Sequence, residues 1–146
     1  TSWPKLIEAF KTLAQTAEER QAILAVRAAR KSVVDRSRNA VKVLAEIAAS
    51  YVQAALDAAA TVGDKDTLDA AVDRLKENIV VAYARDVKFD ESGAASYPPP
   101  GRGMMNYRQY VELLRSAPGC GYLIVGELPS AEDATAAVKL VGKLVG

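Results

Sequence analysis

Residues 18–60 read EERQAILAVRAARKSVVDRSRNAVKVLAEIAASYVQAALDAAA and contain neither proline nor glycine. Because no residue in this interval forces the backbone out of a helix, the sequence predicts one long helix here. At ~1.5 Å rise per residue this helix would be about 65 Å long, more than a compact domain of this size needs. Ser32, Asp35 and Ser37 can each cap a restart, so a kink within residues 31–39 stays open.

A basic stripe follows the predicted long helix. Five cations recur at separations of 7, 4, 7 and 4 residues, which place them on one helix face. Between residues 20 and 42, seven cations accompany one carboxylate, so this segment has a net charge of +6 in a chain of net charge +1. Such a local field predicts sequence-independent contact with nucleic-acid phosphates. The residues expected to make this contact are Arg20, Arg27, Arg30, Lys31, Arg36, Arg38 and Lys42.

The rest of the chain also predicts helices. A capping box at residues 16–19 marks the start of the long helix and a bend after a first one. Residues 66–85 have apolar side chains at helical spacing, and Asn106 and Ser130 are expected to cap two later helices. Residues 122–125 predict a short strand or a buried extended segment. The predicted fold is mostly α, with long N-terminal helices, a small C-terminal helical bundle and at most one short strand or hairpin.

Composition divides the chain into three parts. Residues 1–86 form the long-helix region with the basic stripe, residues 87–106 a loop rich in proline and glycine, and residues 107–146 a C-terminal helical region. Tyrosines alternate with arginines in and after the loop, which suits stacking on bases or, as we favour, packing against a neighbouring subunit. Two of these arginines are candidate secondary contacts to nucleic acid, Arg102 and Arg108.

The residue inventory argues against an enzyme. The chain has no histidine, which is the usual general acid–base. Its single cysteine, Cys120, therefore has no histidine to activate it as a nucleophile. Asp66, Asp69 and Asp73 share a helix face, but we interpret them as solvated acids of a first turn rather than as metal ligands. We therefore expect no catalytic residue, no metal and no cofactor. No apolar run approaches the ~18 residues that a membrane span needs.

The overall pattern resembles the coat proteins of rod-shaped and filamentous viruses of hyperthermophilic archaea. The shared features are basic long helices first, then short helices broken by proline and glycine, and an apolar C-terminus. The resemblance implies a structural coat protein of the virion that polymerises around a viral genome. Its expected partners are nucleic acid, for which we favour genomic double-stranded DNA, and further copies or a second, more basic coat subunit. The type and strandedness of the nucleic acid stay open.

Two alternatives remain beside the coat protein. In size and helicity the chain also resembles the helical small subunit of a CRISPR effector complex, which polymerises along nucleic acid beside larger partners. A helical protein-binding adaptor without nucleic acid is the third interpretation, and for these alternatives a cytoplasmic location is expected. An enzyme is the least favoured class.

Overall fold

A computed structural model describes residues 2–29, 31–63 and 66–146, and it is built around a parallel β-sheet. The strands of this sheet are β1 (Leu24–Arg27), β2 (Val52–Asp57), β3 (Ile79–Tyr83) and β6 (Tyr122–Ile124), in the order β1-β2-β3-β6. A separate antiparallel hairpin pairs β4 (Lys88–Phe89) with β5 (Ala95–Ser96). The helices are α1 (Trp3–Glu19), α2 (Ser37–Ile47), α3 (Ala58–Gly63), α4 (Leu68–Leu75), α5 (Tyr107–Arg115) and α6 (Ala131–Val145).

The prediction of a mostly α fold is wrong, because strands and helices alternate along the chain. Each connection between neighbouring strands of the sheet passes through at least one helix, and all three strand pairs are parallel. This is the arrangement of an α/β protein. The predicted long helix is replaced by the end of α1, then β1, α2, β2 and the start of α3.

The chain leaves helical conformation at residues that are not glycine. Gln21 and Ala48, which follow α1 and α2, have φ angles of 50° and 49°, in the left-handed region that glycine usually fills at helix ends. Lys31, in the connection between β1 and α2, has a φ of 59°. Ala48 directly follows α2, and its N–H donates to the carbonyl of Leu44. The backbone therefore adopts the conformation that ends a helix, although residues 18–60 contain no glycine or proline from which the helix ends could be predicted.

Strand β2 explains why the sequence resembles a helix. It contains Ala54 and Ala55, and alanine is the strongest helix former. Five of its six residues are buried, as expected for a central strand of a parallel sheet. Small buried side chains let α2 and the neighbouring strands approach closely, so tertiary packing outweighs the helical preference of this segment.

The helices form one layer beside the sheet. Helix α1 packs on α2, α2 on α4, α4 on α5 and α5 on α6. Strands that follow each other in order through right-handed crossovers place their helices on the same face. The strand at one edge, β6, exposes Tyr122 by 75% and Ile124 by 39%. The sheet thus has one face covered by helices and an edge with exposed apolar side chains.

Several predicted elements are confirmed and others are wrong. Asn106 accepts a hydrogen bond from the N–H of Gln109 at the start of α5, and Ser130 accepts one from Asp133 at the start of α6, as predicted. Residues 122–124 form the predicted strand. The helix predicted over residues 66–85 is instead α4 followed by β3, and the capping box at residues 16–19 lies inside α1.

The parallel sheet combines strands from two of the three predicted parts of the chain. Strand β3, in the predicted long-helix region, pairs with β6, in the predicted C-terminal region. The boundaries near residues 86 and 106 stay a prediction. In the part of the chain that the structure describes, no helix is both long and apolar enough to cross a membrane.

The loop over residues 87–106 is anchored by the buried carboxylate of Asp86. Its two oxygen atoms accept hydrogen bonds from the backbone N–H groups of Val87, Gly101, Gly103 and Met105 at 2.8–3.0 Å. A Cβ atom at position 103 would collide with this carboxylate, so only glycine fits there. Asp86 therefore folds a loop rich in proline and glycine back onto the end of β3.

We predict that Asp86→Asn lowers the free energy of unfolding by about 3 kcal/mol, because an amide replaces one acceptor oxygen with a donor that faces backbone N–H groups. Chemical denaturation measures the effect. The exposed neighbour Glu91 provides a control, and Glu91→Gln should change stability by less than about 0.5 kcal/mol. Equal stability of the two variants would show that the loop is anchored elsewhere.

A second, partly buried carboxylate joins α2 to α4. Asp66 accepts hydrogen bonds from the Ser37 hydroxyl at 2.5 Å and from Arg74 Nη1 at 3.0 Å. Burial raises the pKa of Asp66, but the bonds from Ser37 and Arg74 outweigh it and leave the pKa below its ordinary value of 3.8. Asp66 is therefore a structural link and not the solvated acid that the sequence predicts.

We predict that Asp66→Asn destabilises the protein by about 1 kcal/mol at pH 7. Because the folded state lowers the pKa, the stabilisation from Asp66 is complete above the ordinary value of 3.8 and is lost as the pH falls through the lowered one. Denaturation midpoints at several pH values test this, with the exposed Asp69→Asn as control. A difference between wild type and Asp66→Asn that is as large at the lowest pH of the series as at pH 7 would contradict it.

Candidate functional site

The carboxyl ends of parallel strands meet at one edge of a sheet, and here that edge gathers four charged side chains. Arg27 ends β1, Asp57 ends β2, Arg85 follows β3 by two residues, and Glu127 follows β6 by three. They come from positions up to 100 residues apart in sequence. We call these four residues the charge cluster.

Asp57 is the most buried member of the charge cluster. Its side chain is only 2% exposed, and Oδ1 accepts a hydrogen bond from the backbone N–H of Ala60 in the first turn of α3. Oδ2 accepts a hydrogen bond from Arg85 Nη1 at 2.7 Å and lies 3.9 Å from Arg27 Nη1. A buried carboxylate needs such partners, so its position fixes where the guanidinium groups lie.

Arg85 is held between two backbone anchors. The N–H of Ala84 donates to the carbonyl of Ile124, which continues the pairing of β3 with β6. The next residue, Asp86, is fixed by the loop amides described above. The side chain of Arg85 is 19% exposed, and its Nε lies 3.2 Å from Oε2 of Glu127.

Glu127 joins the two arginines from the solvent side. Its Oε1 accepts a hydrogen bond from Arg27 Nη1 at 3.1 Å, while Oε2 contacts Arg85. The side chain is 49% exposed, and the backbone has a φ of 58°, which is strained for a residue other than glycine. Burial lowers the pKa of Arg27, but Glu127 and then Asp57 raise it, so the net pKa lies above its ordinary value.

Two tyrosine rings cover the guanidinium groups. The Cζ of Arg27 lies 4.8 Å from the ring centre of Tyr83, and that of Arg85 lies 4.9 Å from the ring centre of Tyr97. Both distances allow cation–π attraction. A Cβ atom at Gly63 would lie 2.7 Å from the Tyr97 hydroxyl, so the glycine leaves the room that Tyr97 occupies. The hydroxyl is buried and has no hydrogen-bond partner within the described residues.

A cavity of about 120 Å³ opens beside the charge cluster. It is lined by Arg27, Ala28, Ala29, Asp57, Ala60, Arg85 and Tyr97. Larger hollows of about 480 and 320 Å³ lie along the edge strands β1 and β6, and no carboxylate lines either of them. Another hollow, of about 170 Å³, is lined by Arg108, Val111, Glu112, Lys143 and Leu144. Charged side chains therefore line more than one hollow, and the cavity of about 120 Å³ is the one that members of the charge cluster from β2 and β3, Asp57 and Arg85, line.

The structure disperses the residues predicted to bind nucleic acid. Arg27 alone belongs to the charge cluster, and Arg30 lies outside the described residues. Arg20 follows α1, Lys31 lies in the connection after β1, and Arg36 precedes α2 and pairs with Asp35 at 3.5 Å. Exposed positions one turn apart on α2 are occupied by Arg38 and Lys42. These residues lie on several elements and form no stripe along one helix; phosphate contact by each of them is untested.

The predicted secondary contacts lie away from the charge cluster. Arg102 forms an ion pair of 2.9 Å with Asp133 at the start of α6, and Arg108 is exposed on α5. Tyr107 and Tyr110 are buried and meet edge to face at 6.4 Å. The Tyr110 hydroxyl donates to the carbonyl of Tyr83, so both rings belong to the protein core.

Comparison with solved structures finds proteins of which one part has a similar fold. The chain superposes on a xylose isomerase domain protein from Planctomyces limnophilus with a TM-score of 0.83 and 13% identity, over 97% of this chain and 53% of that one. For D-psicose 3-epimerase from Clostridium cellulolyticum H10 the values are 0.75, 14%, 98% and 56%. For the IOLI protein with a bound zinc atom they are 0.77, 15%, 95% and 54%. The chain therefore spans about half the length of each of these structures.

These similarities establish the fold, an α/β fragment like those of xylose isomerase-like TIM barrels. No protein-family model and no curated protein sequence matches the chain. In a closed barrel of this type, active sites lie at the carboxyl ends of the strands, which is where the charge cluster is found.

The comparisons overturn the functional predictions made from the sequence. Similar structures include sugar isomerases and epimerases and not viral coat proteins, so the coat-protein resemblance and the genome-coating function are wrong. The CRISPR-subunit and adaptor alternatives have no support either. The expectation of a non-enzyme and of genomic DNA with a coat subunit as partners is wrong for the same reason. Location in a virion or in the cytoplasm is not tested.

The charge cluster does not suit a divalent metal ion such as the zinc of the IOLI structure. The chain has no histidine, and both carboxylates of the cluster are already paired with guanidinium groups. A cation between Asp57 and Glu127 would lie next to two positive charges. Within the described residues, no three side chains of His, Cys, Asp or Glu come together as ligands.

We predict that Arg85→Met lowers the free energy of unfolding by about 3–5 kcal/mol, because it leaves the Asp57 carboxylate buried without its nearest partner. The double variant Asp57→Asn/Arg85→Met should recover part of this loss, since no buried charge remains. Denaturation of both variants measures the difference. Arg115→Met is the control, because Arg115 forms an exposed ion pair on α5. If the losses of stability in Asp57→Asn and Arg85→Met simply add in the double variant, Asp57 and Arg85 do not stabilise each other and the prediction is wrong.

Proposed function

We propose that the protein is an enzyme that isomerises a carbohydrate or a similar polyhydroxy compound at the charge cluster. The observation that carries this proposal is the gathering of two carboxylates and two guanidinium groups at the carboxyl ends of all four parallel strands. Support comes from the similar structures, several of which carry the names of sugar isomerases or epimerases. Catalytic groups of TIM barrels lie at this position.

Glu127 is the group that would transfer the proton. Its side chain is 49% exposed, whereas that of Asp57 is 2% exposed and is also bound to the backbone N–H of Ala60. A carboxylate within reach of a carbon next to a carbonyl group can remove its proton. The electron pair of the broken C–H bond then forms an enediolate, and the proton stays on Glu127 until it returns.

The arginines would stabilise the charge that develops in this step. The negative charge of an enediolate lies on oxygen, and guanidinium N–H groups held in place by Asp57 are preorganised donors for it. The remaining hydroxyl proton of the enediolate passes from one oxygen atom to the other, and return of the proton on Glu127 to the neighbouring carbon completes an isomerisation with no net gain or loss of hydrogen. One accessible carboxylate suits this transfer along a single face, while epimerisation at one carbon needs an acid–base group on each face.

We predict that the purified protein catalyses exchange of a carbon-bound proton with deuterium oxide in at least one sugar. The panel is D-xylose, D-tagatose, D-psicose, L-ribulose and the anionic D-glucuronate, followed by NMR. Glu127→Gln should slow the exchange by about 100-fold or more, because the amide cannot take up the proton. Exchange should persist in EDTA, because the charge cluster has no metal-ligand set.

The matched control is Glu132→Gln, an exposed glutamate in the first turn of α6. Its rate should equal that of the wild type. No exchange with any sugar of the panel, or equal rates for wild type and Glu127→Gln, would refute the proposed function.

A further inference from the structure

The guanidinium groups of the charge cluster retain donors that the protein does not use. Each guanidinium carries five N–H groups on three nitrogen atoms. Within the described residues, Arg27 directs Nη1 to Glu127, while Arg85 directs Nη1 to Asp57 and Nε to Glu127. Three of the six nitrogen atoms thus contact carboxylates at hydrogen-bond distance, and the other three contact no carboxylate within the described residues.

The cavity between the arginines has the size of an ionic group rather than of a whole sugar. Its volume is about 120 Å³, and one water molecule takes up ~30 Å³ in the liquid. It therefore has room for a small polar group such as a carboxylate or a phosphate. Three alanines, Ala28, Ala29 and Ala60, line much of the remainder. An anion there would lose water and gain bonds from fork-shaped donors. It would also lie beside the Asp57 carboxylate, which lines the same cavity, so its binding depends on both guanidinium groups.

Glu127 already occupies the arginines in the way a ligand carboxylate would. Its two oxygen atoms divide between the two guanidinium groups at 3.1 and 3.2 Å. The side chain is half-exposed, and the φ of 58° strains the backbone that carries it. Asp57, in contrast, is fixed by the N–H of Ala60 and cannot leave. Glu127 is thus the carboxylate that an incoming anion can replace.

We propose that the cavity beside Arg27 and Arg85 is a subsite for the carboxylate or phosphate group of the substrate, and that this group displaces Glu127 from both guanidiniums. The inference rests on the proposed function for the role of Glu127 after its release. While Glu127 holds the arginines, both of its oxygen atoms are engaged and neither is free to accept a proton. An anionic substrate would therefore free the base that acts on it more readily than a neutral sugar, so within the panel exchange should be fastest for D-glucuronate.

The test is calorimetric titration at low ionic strength with two probes, inorganic phosphate and acetate. Glu127→Gln should bind the preferred probe about 10- to 100-fold more tightly than the wild type, because the competing carboxylate is gone. Arg27→Gln should bind it about 10- to 100-fold more weakly. Binding of phosphate alone would assign the subsite to a phosphate group, and binding of acetate alone would assign it to a carboxylate.

Two further variants separate this subsite from general attraction of anions. Arg27→Lys keeps the charge but loses the fork, so it should bind with intermediate strength. Arg115→Gln removes an exposed charge on α5 and should leave the affinity unchanged. Circular dichroism establishes that each variant is folded. Unchanged or weaker binding in Glu127→Gln, or equal losses in Arg27→Gln and Arg115→Gln, would overturn the inference.

The titration tests the anion subsite and the deuterium exchange tests the proposed function, so either one can be refuted without the other. Anion binding with the predicted order of variants, but no exchange in any sugar, would remove the proposed function and keep the anion subsite. Exchange that depends on Glu127, together with affinities for phosphate and acetate that no variant changes, would remove the subsite and keep the enzyme.

Discussion

A buried carboxylate at the end of the central strand β2 imposes the arrangement of this protein. Asp57 is excluded from solvent, so its negative charge requires partners inside the fold. One partner is the first turn of α3, and the others are guanidinium groups from the two neighbouring strands. Both arginines in turn pair with Glu127, which follows the edge strand β6. The Asp57 carboxylate thus pairs with arginines of both neighbouring strands and also lines the cavity.

A second carboxylate makes the arrangement rigid. Asp86 directly follows Arg85 and binds four backbone N–H groups of the loop that covers this end of the sheet. The same loop carries Tyr97, whose ring lies over the Arg85 guanidinium. Consecutive residues thus divide two tasks, because Asp86 fixes the loop while Arg85 faces the cavity. A guanidinium held from both sides is a preorganised donor for a negatively charged group.

Sequence reasoning located the capped helices and missed the sheet. Asn106 and Ser130 are side-chain caps with a local signature, so α5 and α6 could be predicted. Strands β1 and β2 could not, because their helix-favouring alanines and non-glycine turns send the opposite local signal. The starts of β1, β2 and β3 at residues 24, 52 and 79 are 28 and 27 residues apart, a spacing typical of repeated strand–helix units. Because the strands were not predicted, the sequence did not indicate that Asp57, Arg85 and Glu127 lie close together at the strand ends, although each follows a short apolar run.

Two guanidinium groups neutralise Asp57 and Glu127, as a divalent cation neutralises the carboxylates of a metal site. A crystal structure from crystals grown with Mn²⁺, with data collected at a wavelength where manganese scatters anomalously, tests it directly. The account predicts both arginines on Glu127 and no anomalous peak between the carboxylates. A manganese peak bonded to Asp57 and Glu127, with the guanidinium groups turned away, would contradict it.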